Sequence, residues 1–264
     1  MQNPDLLADL LDRIVDHLHD RKGALRNCCL VSKSWVPRTR RHLFAIIRFN
    51  VEVHPVSWRE IFPDPSTSPA HYTKTLLIDY SDVIAVADIE AGGWIRAFSH
   101  VVHLEVCSRR RGVDEPEFPL VPLLGFSPFI KSLHVKFVAL PSSQISDLIL
   151  SFPLLEDVTV VNGDRVPIDD DDRPDGLPTV VQSSNSPTFT GSLNLITTGM
   201  KRIARPLLSV PGGLRFRRFT LDWVHRNDSL WTLALAERCS HTLESLDISC
   251  GAFRAFIRHP RRHQ

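Results

Sequence analysis

One short apolar pattern recurs along this chain and restricts its fold more than any other feature. Apolar, two residues, apolar, one residue, apolar is the order at Val101-Leu104-Val106, Ile130-Leu133-Val135, Leu155-Val158-Val160, Phe216-Phe219-Leu221 and Leu243-Leu246-Ile248. Weaker forms lie at Leu76-Ile78 and Leu193-Leu195. The central residues, Leu76, Leu104, Leu133, Val158, Leu193, Phe219 and Leu246, are 28, 29, 25, 35, 26 and 27 positions apart. The last two members of each set alternate as in a short strand with one face turned inward.

Helix-compatible stretches separate these strands. Ser142-Ser143 is placed to cap a helix carrying Ile145, Leu148, Ile149 and Phe152, an i, i+3, i+4, i+7 stripe. Asp228 is placed to cap Leu230-Leu233-Ala234, running to Cys239. Residues 85–98 form a third candidate, interrupted by Gly92-Gly93 at about 1 kcal/mol per glycine relative to alanine. Strand and helix in alternation predict an α/β chain whose parallel strands stack into a curved solenoid. The spacing mostly falls within the roughly 20–29 residues of leucine-rich repeats, which the pattern resembles. The Asn or Cys that usually follows the repeat strand is mostly missing, although Cys107 and Cys250 sit near its place. The repeats are therefore degenerate, and a doubly wound α/β sheet is the alternative.

Two stretches lack the pattern. Residues 51–71 contain four prolines and are expected to link two modules. Residues 162–187 hold the acidic run Asp169 to Asp172 and four prolines, account for the one long spacing, and are expected to be a mobile insertion.

The first fifty residues have a different period. Leu10, Leu11, Ile14, Val15 and Leu18 make one apolar stripe on a helix, with Asp12, Arg13 and Asp16 opposite. Asp5 and Asp9 suit its positive end. Gly23 is expected to end that helix in a left-handed cap. A second, shorter helix covers 24–31, and Ser32 or Ser34 is placed to cap a third, with Pro37 in its first turn. Three helices this short bury little surface among themselves, and modules of this size usually need a partner or a neighbouring domain.

The string DLLDRIVDHL, a gap, then LRNCCLVSKSW and RHLF resembles an F-box, over residues 6–49. Where the family has Leu-Pro ahead of the first helix, this chain has Leu6-Leu7, and the family's acidic position is Asp9. The resemblance implies a helical module at 1–50 that docks on a Skp1-type adaptor and, through it, joins a cullin-RING ubiquitin ligase. Leu6, Leu10, Ile14, Leu30, Val31 and Trp35 match the docking positions or their supporting core; the same residues would also serve as an ordinary bundle core. Residues 72–264 would then be the repeat domain, presenting a client protein with the outward strand positions. By the register above these include His103, Glu105, His134, Asp157 and Asp247.

Chemistry elsewhere is sparse. His17 and His19 lie on different helix faces, so they do not pair as metal ligands. The Asp169 to Asp172 run lacks the glycine and glutamate of a calcium loop. No phosphate-binding glycine loop, nucleophile elbow or CxxC pair occurs. Cys239-Ser240-His241 reads as a helix end, because sequence neighbours rarely face each other productively. Arg109 to Arg111 and the basic tail 258–263 are short and lack interleaved aromatics. With 31 basic against 30 acidic side chains there is no global field for nucleic acid or membrane. No catalytic residue, metal or cofactor is expected. Five unpatterned cysteines, no basic-then-apolar leader and no long apolar run point to a reducing compartment, cytoplasmic or nuclear. The expected function is that of a ligase substrate receptor. A non-ligase scaffold of the same fold is the first alternative, and an α/β enzyme with an unrecognised site the second. Phe253, Phe256 and Ile257 are expected to cover the last repeat.

Overall fold

The computed structural model describes residues 4–50, 55–64, 66–79, 95–107, 123–136, 142–161, 189–196, 200–210, 213–222 and 229–249. The acidic insertion at 162–187, both basic clusters, Asp228 and the expected cap at Phe253, Phe256 and Ile257 lie outside them. So does most of the helix candidate at 85–98, of which Ile95–Phe98 is a 3-10 turn.

Each predicted strand is present, together with one at Ile46–Phe49 that was not predicted. β1 (Ile46–Phe49), β2 (Thr75–Asp79), β3 (His103–Cys107), β4 (Ser132–Lys136), β5 (Asp157–Val161), β6 (Ser192–Ile196), β7 (Arg218–Asp222) and β8 (Ser245–Ser249) form one sheet. β2 to β7 bury alternate residues as expected, whereas β8 leaves its apolar pair part-exposed. All seven pairings are parallel, and strand order follows chain order from end to end. A doubly wound sheet reverses its order at a switch point; this sheet has no reversal. The register aligns the central residues in one row: Ile47, Leu76, Leu104, Leu133, Val158, Leu193, Phe219 and Leu246.

A repeated hydrogen-bond motif sets that register. The carbonyl just before one strand accepts two successive N–H groups at the start of the next. Ala45 O takes Lys74 and Thr75 at 2.8 and 3.0 Å, Lys74 O takes Val102 and His103, and Val102 O takes Lys131 and Ser132. Lys131 O takes Glu156 and Asp157, Gly191 O takes Arg217 and Arg218, and Arg217 O takes Glu244 and Ser245. One junction differs: Glu156 O takes the Gly191 N–H at 3.2 Å, and the Asp157 carboxylate takes the Ser192 N–H at 2.9 Å. A Cβ at residue 191 would lie 2.6 Å from that carboxylate and 2.7 Å from Glu156 O, so only glycine fits.

The inner sheet face is covered by helices and aromatic turns. α5 (Ser142–Leu150), α6 (Met200–Leu208) and α7 (Ser229–Arg238) follow β4, β6 and β7, and α5 buries Ile145, Leu148 and Ile149 as their spacing predicts. Phe98, Phe126, Phe152, Phe189 and Phe216 are buried between successive strands. Phe189 and Phe216 stand 5.1 Å apart between ring centroids. The stretch read as a linker contains α4 (Pro55–Ile61), whose Trp58 is buried edge-on against Phe49 at 5.9 Å. At the chain start lie α1 (Pro4–His17), α2 (Lys22–Val31), a 3-10 turn (Lys33–Trp35) and α3 (Val36–Leu43). Gly23 is not a cap: it is the second residue of α2. Its φ is not positive, and the preceding turn closes through Leu18 N–H to Val15 O and Arg21 N–H to Leu18 O. That turn needs no left-handed residue.

Candidate functional site

The N-terminal helices divide their apolar side chains between an interior and a surface. Val15, Leu25, Cys28 and the Thr39 side chain are buried among them. The stripe residues Leu10 and Ile14 remain 54% and 44% exposed, and Leu30 and Val31 at the end of α2 are 86% and 68% exposed. Trp35 is half-buried at the end of the 3-10 turn. Leu6 is part of α1, but its side chain lies outside the described residues. Ser32 caps the 3-10 turn, its hydroxyl accepting the Ser34 N–H at 3.3 Å, whereas α3 starts after Trp35 with no side-chain cap. Pro37 occupies the first turn of α3, where no N–H is required.

A charged cluster fixes how α1 lies on α3. The Arg38 guanidinium grips both carboxylate oxygens of Asp16, with Nε 2.7 Å from Oδ1. His42 Nε2 lies 2.7 Å from the same oxygen, and Asp12 approaches Arg38 Nη1 at 3.6 Å. Hydrogen bonds from Arg38 and then His42 hold the Asp16 carboxyl well below the usual carboxylate range. Asp16 is thus a tether rather than a free residue on the solvated side of the helix. The signal was present in the sequence: Asp12 and Asp16 are four apart on α1, and Arg38 and His42 are four apart on α3. With the polar side of α1 tied inward by this grip, Leu10 and Ile14 are left to water.

The outer sheet face is the second candidate. Three rows of side chains run across it by register. His103, Ser132, Asp157, Ser192 and Arg218 belong to the first, and Glu105, His134, Thr159, Asn194, Thr220 and Asp247 to the second. Cys107, Lys136, Val161, Ile196 and Asp222 belong to the third. His103, Glu105, His134, Asp157 and Asp247 therefore share one face. The first four cluster on β3 to β5. Asp247 stands four strands beyond His134, about 19 Å away at the usual strand spacing.

Within the cluster, Glu105 pairs with Lys136 at 2.9 Å. Asp157 is occupied by the Ser192 hydroxyl at 2.6 Å as well as its N–H. His134 is half-buried, and burial, aided by the Lys136 charge, pushes its pKa down against the pull of Glu105 and Asp157. Its neutral form is therefore favoured near pH 7. Asn194, which no sequence motif marks, has a buried side-chain oxygen with no hydrogen-bond partner among the described residues.

No cluster of three or more metal-ligating side chains occurs among the described residues. His17 is exposed, and His19 Nδ1 sits 3.0 Å from the Asp16 carbonyl. Cys239 is buried at the end of α7 with its thiol pushed up to about 11 by burial, which leaves little thiolate for nucleophilic attack. No described helix is long and apolar enough to cross a membrane. The chain matches no family model, and no curated protein is similar enough to stand as a relative.

Proposed function

We propose that the chain is a substrate-receptor subunit of a Skp1–cullin–F-box type ubiquitin ligase. The N-terminal helices would dock the adaptor, and the sheet, read as a degenerate leucine-rich-repeat solenoid, would offer its outer face to a client protein. One observation carries this reading: Leu10, Ile14, Leu30 and Val31 stay in water while Val15, Leu25 and Cys28 form the module's interior. Exposed apolar side chains on an ordered frame mark interaction surfaces. The one-way strand order supports the solenoid, in which each unit rests only on its neighbours. Catalysis would reside in the other ligase subunits.

The test is calorimetric titration of the full chain with a Skp1-type adaptor. Leu10→Asp and Ile14→Asp should each weaken binding by about 2–3 kcal/mol, roughly 30- to 200-fold. Glu237→Ala, exposed on α7 far along the chain from this module, should leave it unchanged. A well-folded wild-type chain that does not bind the adaptor would overturn the proposal. It would favour the second reading, a scaffold outside the ligase, for which Leu7 in place of the family's proline is the supporting feature.

A further inference from the structure

A cleft of about 350 Å³ opens on neither of these two surfaces, at the rim where the chain enters β7 and β8. Gly213, Leu214 and Arg215 line one side, and Arg238, His241 and Thr242 the other. Arg238 ends α7, and its guanidinium reaches across to the main chain at Gly213. There a Cβ would sit 3.5 Å from Nε and 3.7 Å from Cζ. Gly213 has a φ of +78°, a conformation that glycine adopts without strain, and this lets the turn pass under the guanidinium.

Among the described residues, the exposed charges of this cleft have no partners of their own. Arg217 next door is paired with Glu244 at 3.5 Å. Arg215, Arg238 and His241 make no side-chain hydrogen bond or ion pair among the described residues. The end of α7 does not draw on Arg238 either. Its last carbonyls are met by main-chain N–H groups: Leu235 and Ala236 by Cys239, and Glu237 by Ser240. The Thr242 hydroxyl turns toward the Phe216 and Cys239 carbonyls, 3.1 and 3.2 Å away. The charged lining therefore offers N–H donors. Each guanidinium carries five and no acceptor, in a planar fork that matches a phosphoryl group.

We propose that this cleft binds a phosphate monoester, with Arg215 and Arg238 gripping the phosphoryl oxygens and His241 adding a ring N–H donor. The volume lies at the small end of ligand sites, which leaves room for an ester body beside the phosphoryl group against Leu214. The ester is either a free small molecule or a phosphorylated side chain. The proposal does not depend on adaptor docking.

The experiment is titration of the full chain by amide NMR, following Gly213 and Thr242. The probes are inorganic phosphate, glycerol phosphate and a capped phosphoserine tripeptide, at constant ionic strength. Saturable shifts at both amides are expected, with an ester binding more tightly than inorganic phosphate. A tighter glycerol phosphate identifies a free small ester, and a tighter tripeptide a phosphorylated chain. Arg238→Gln and Arg215→Gln should each weaken binding roughly tenfold, the usual size of a charge-assisted hydrogen bond. Arg215 lies outside any helix or strand, so its variant tests the site even where Arg238→Gln disturbs α7. No saturable shift with any probe would overturn the proposal. So would equal shifts from chloride, or wild-type affinity in a folded Arg215→Gln.

Discussion

Single side chains and single glycines fix local geometry here in ways that invite direct measurement. At Gly191 any Cβ would overlap Asp157 and the Glu156 carbonyl, atoms that hold β6 beside β5. Gly191→Ala should lower stability by about 1–3 kcal/mol, the usual range for overpacking, as read from a urea midpoint shift at constant slope. Phe189, two residues earlier, has a φ of +38°, rare for a bulky residue, and its complete burial against Phe216 holds it there. Asp16 gives a pH prediction. Its folded pKa is depressed below the ordinary 3.8, so its contribution is fully present above the unfolded value and fades as pH falls below about 4. The stability difference between wild type and Asp16→Asn should be flat from pH 8 to about 5 and shrink below about 4. In Arg38→Ala the Asp16 carboxyl should titrate at higher pH than in wild type, measurable by carbon-detected NMR. A wild-type Asp16 titrating with the other aspartates would refute the tether.

Among the elements, what the sequence made legible follows from period. The strands declared themselves because alternation over five residues is a local signal that pairing with either neighbour preserves. Helix α5 was legible for the same reason: Ile145, Leu148 and Ile149 fall on one buried side, and Phe152, just past its end, is buried too. β1 went unread because Ile46-Ile47 continued an apparently helical apolar run, though Ile47 stands 29 positions before Leu76 and fits the spacing. α4 was hidden by its flanking prolines, which are tolerated at a helix start. The Asp16–Arg38 contact, 22 residues apart, and the Arg215–Arg238 cleft were not read, because they depend on how separate elements lie together. The aromatic turns give the element-scale prediction. Phe216→Ala removes a ring buried between Phe189 and Phe219 and should cost about 3–5 kcal/mol. Hydrogen exchange should then quicken in β6 and β7 before it changes in α1 to α3. Equal acceleration everywhere would show that the chain opens as one cooperative unit.

For the whole molecule, strand order that follows chain order means that the segment between neighbouring parallel strands has only to cross back from the end of one strand to the start of the next. Val158 pairs with Leu193 directly, although they stand 35 positions apart. Replacing residues 165–186 with a short glycine-serine linker should therefore leave the melting temperature nearly unchanged, since closure entropy changes by only about 0.6 kcal/mol per doubling of loop length. A collapse in stability would mean that this segment contributes to the core. The same one-way order gives the sheet two edges of different character. β1 buries Ile47 and Phe49, while β8 carries Leu246 and Ile248 at 45% and 41% exposure, where their row-mates in β2 to β7 are buried. Among the described residues no strand pairs with the far side of β8. Such a rim is a template on which copies of a protein can polymerise into fibres. Asp247 sits at its midpoint. If two β8 strands met antiparallel about a two-fold axis at that residue, their carboxylates would face each other, and like charges directly opposed disfavour the pairing. The acid that shares a face with His134 would thus also act as a gatekeeper, and Asp247→Val should raise the turbidity of the protein on standing relative to wild type.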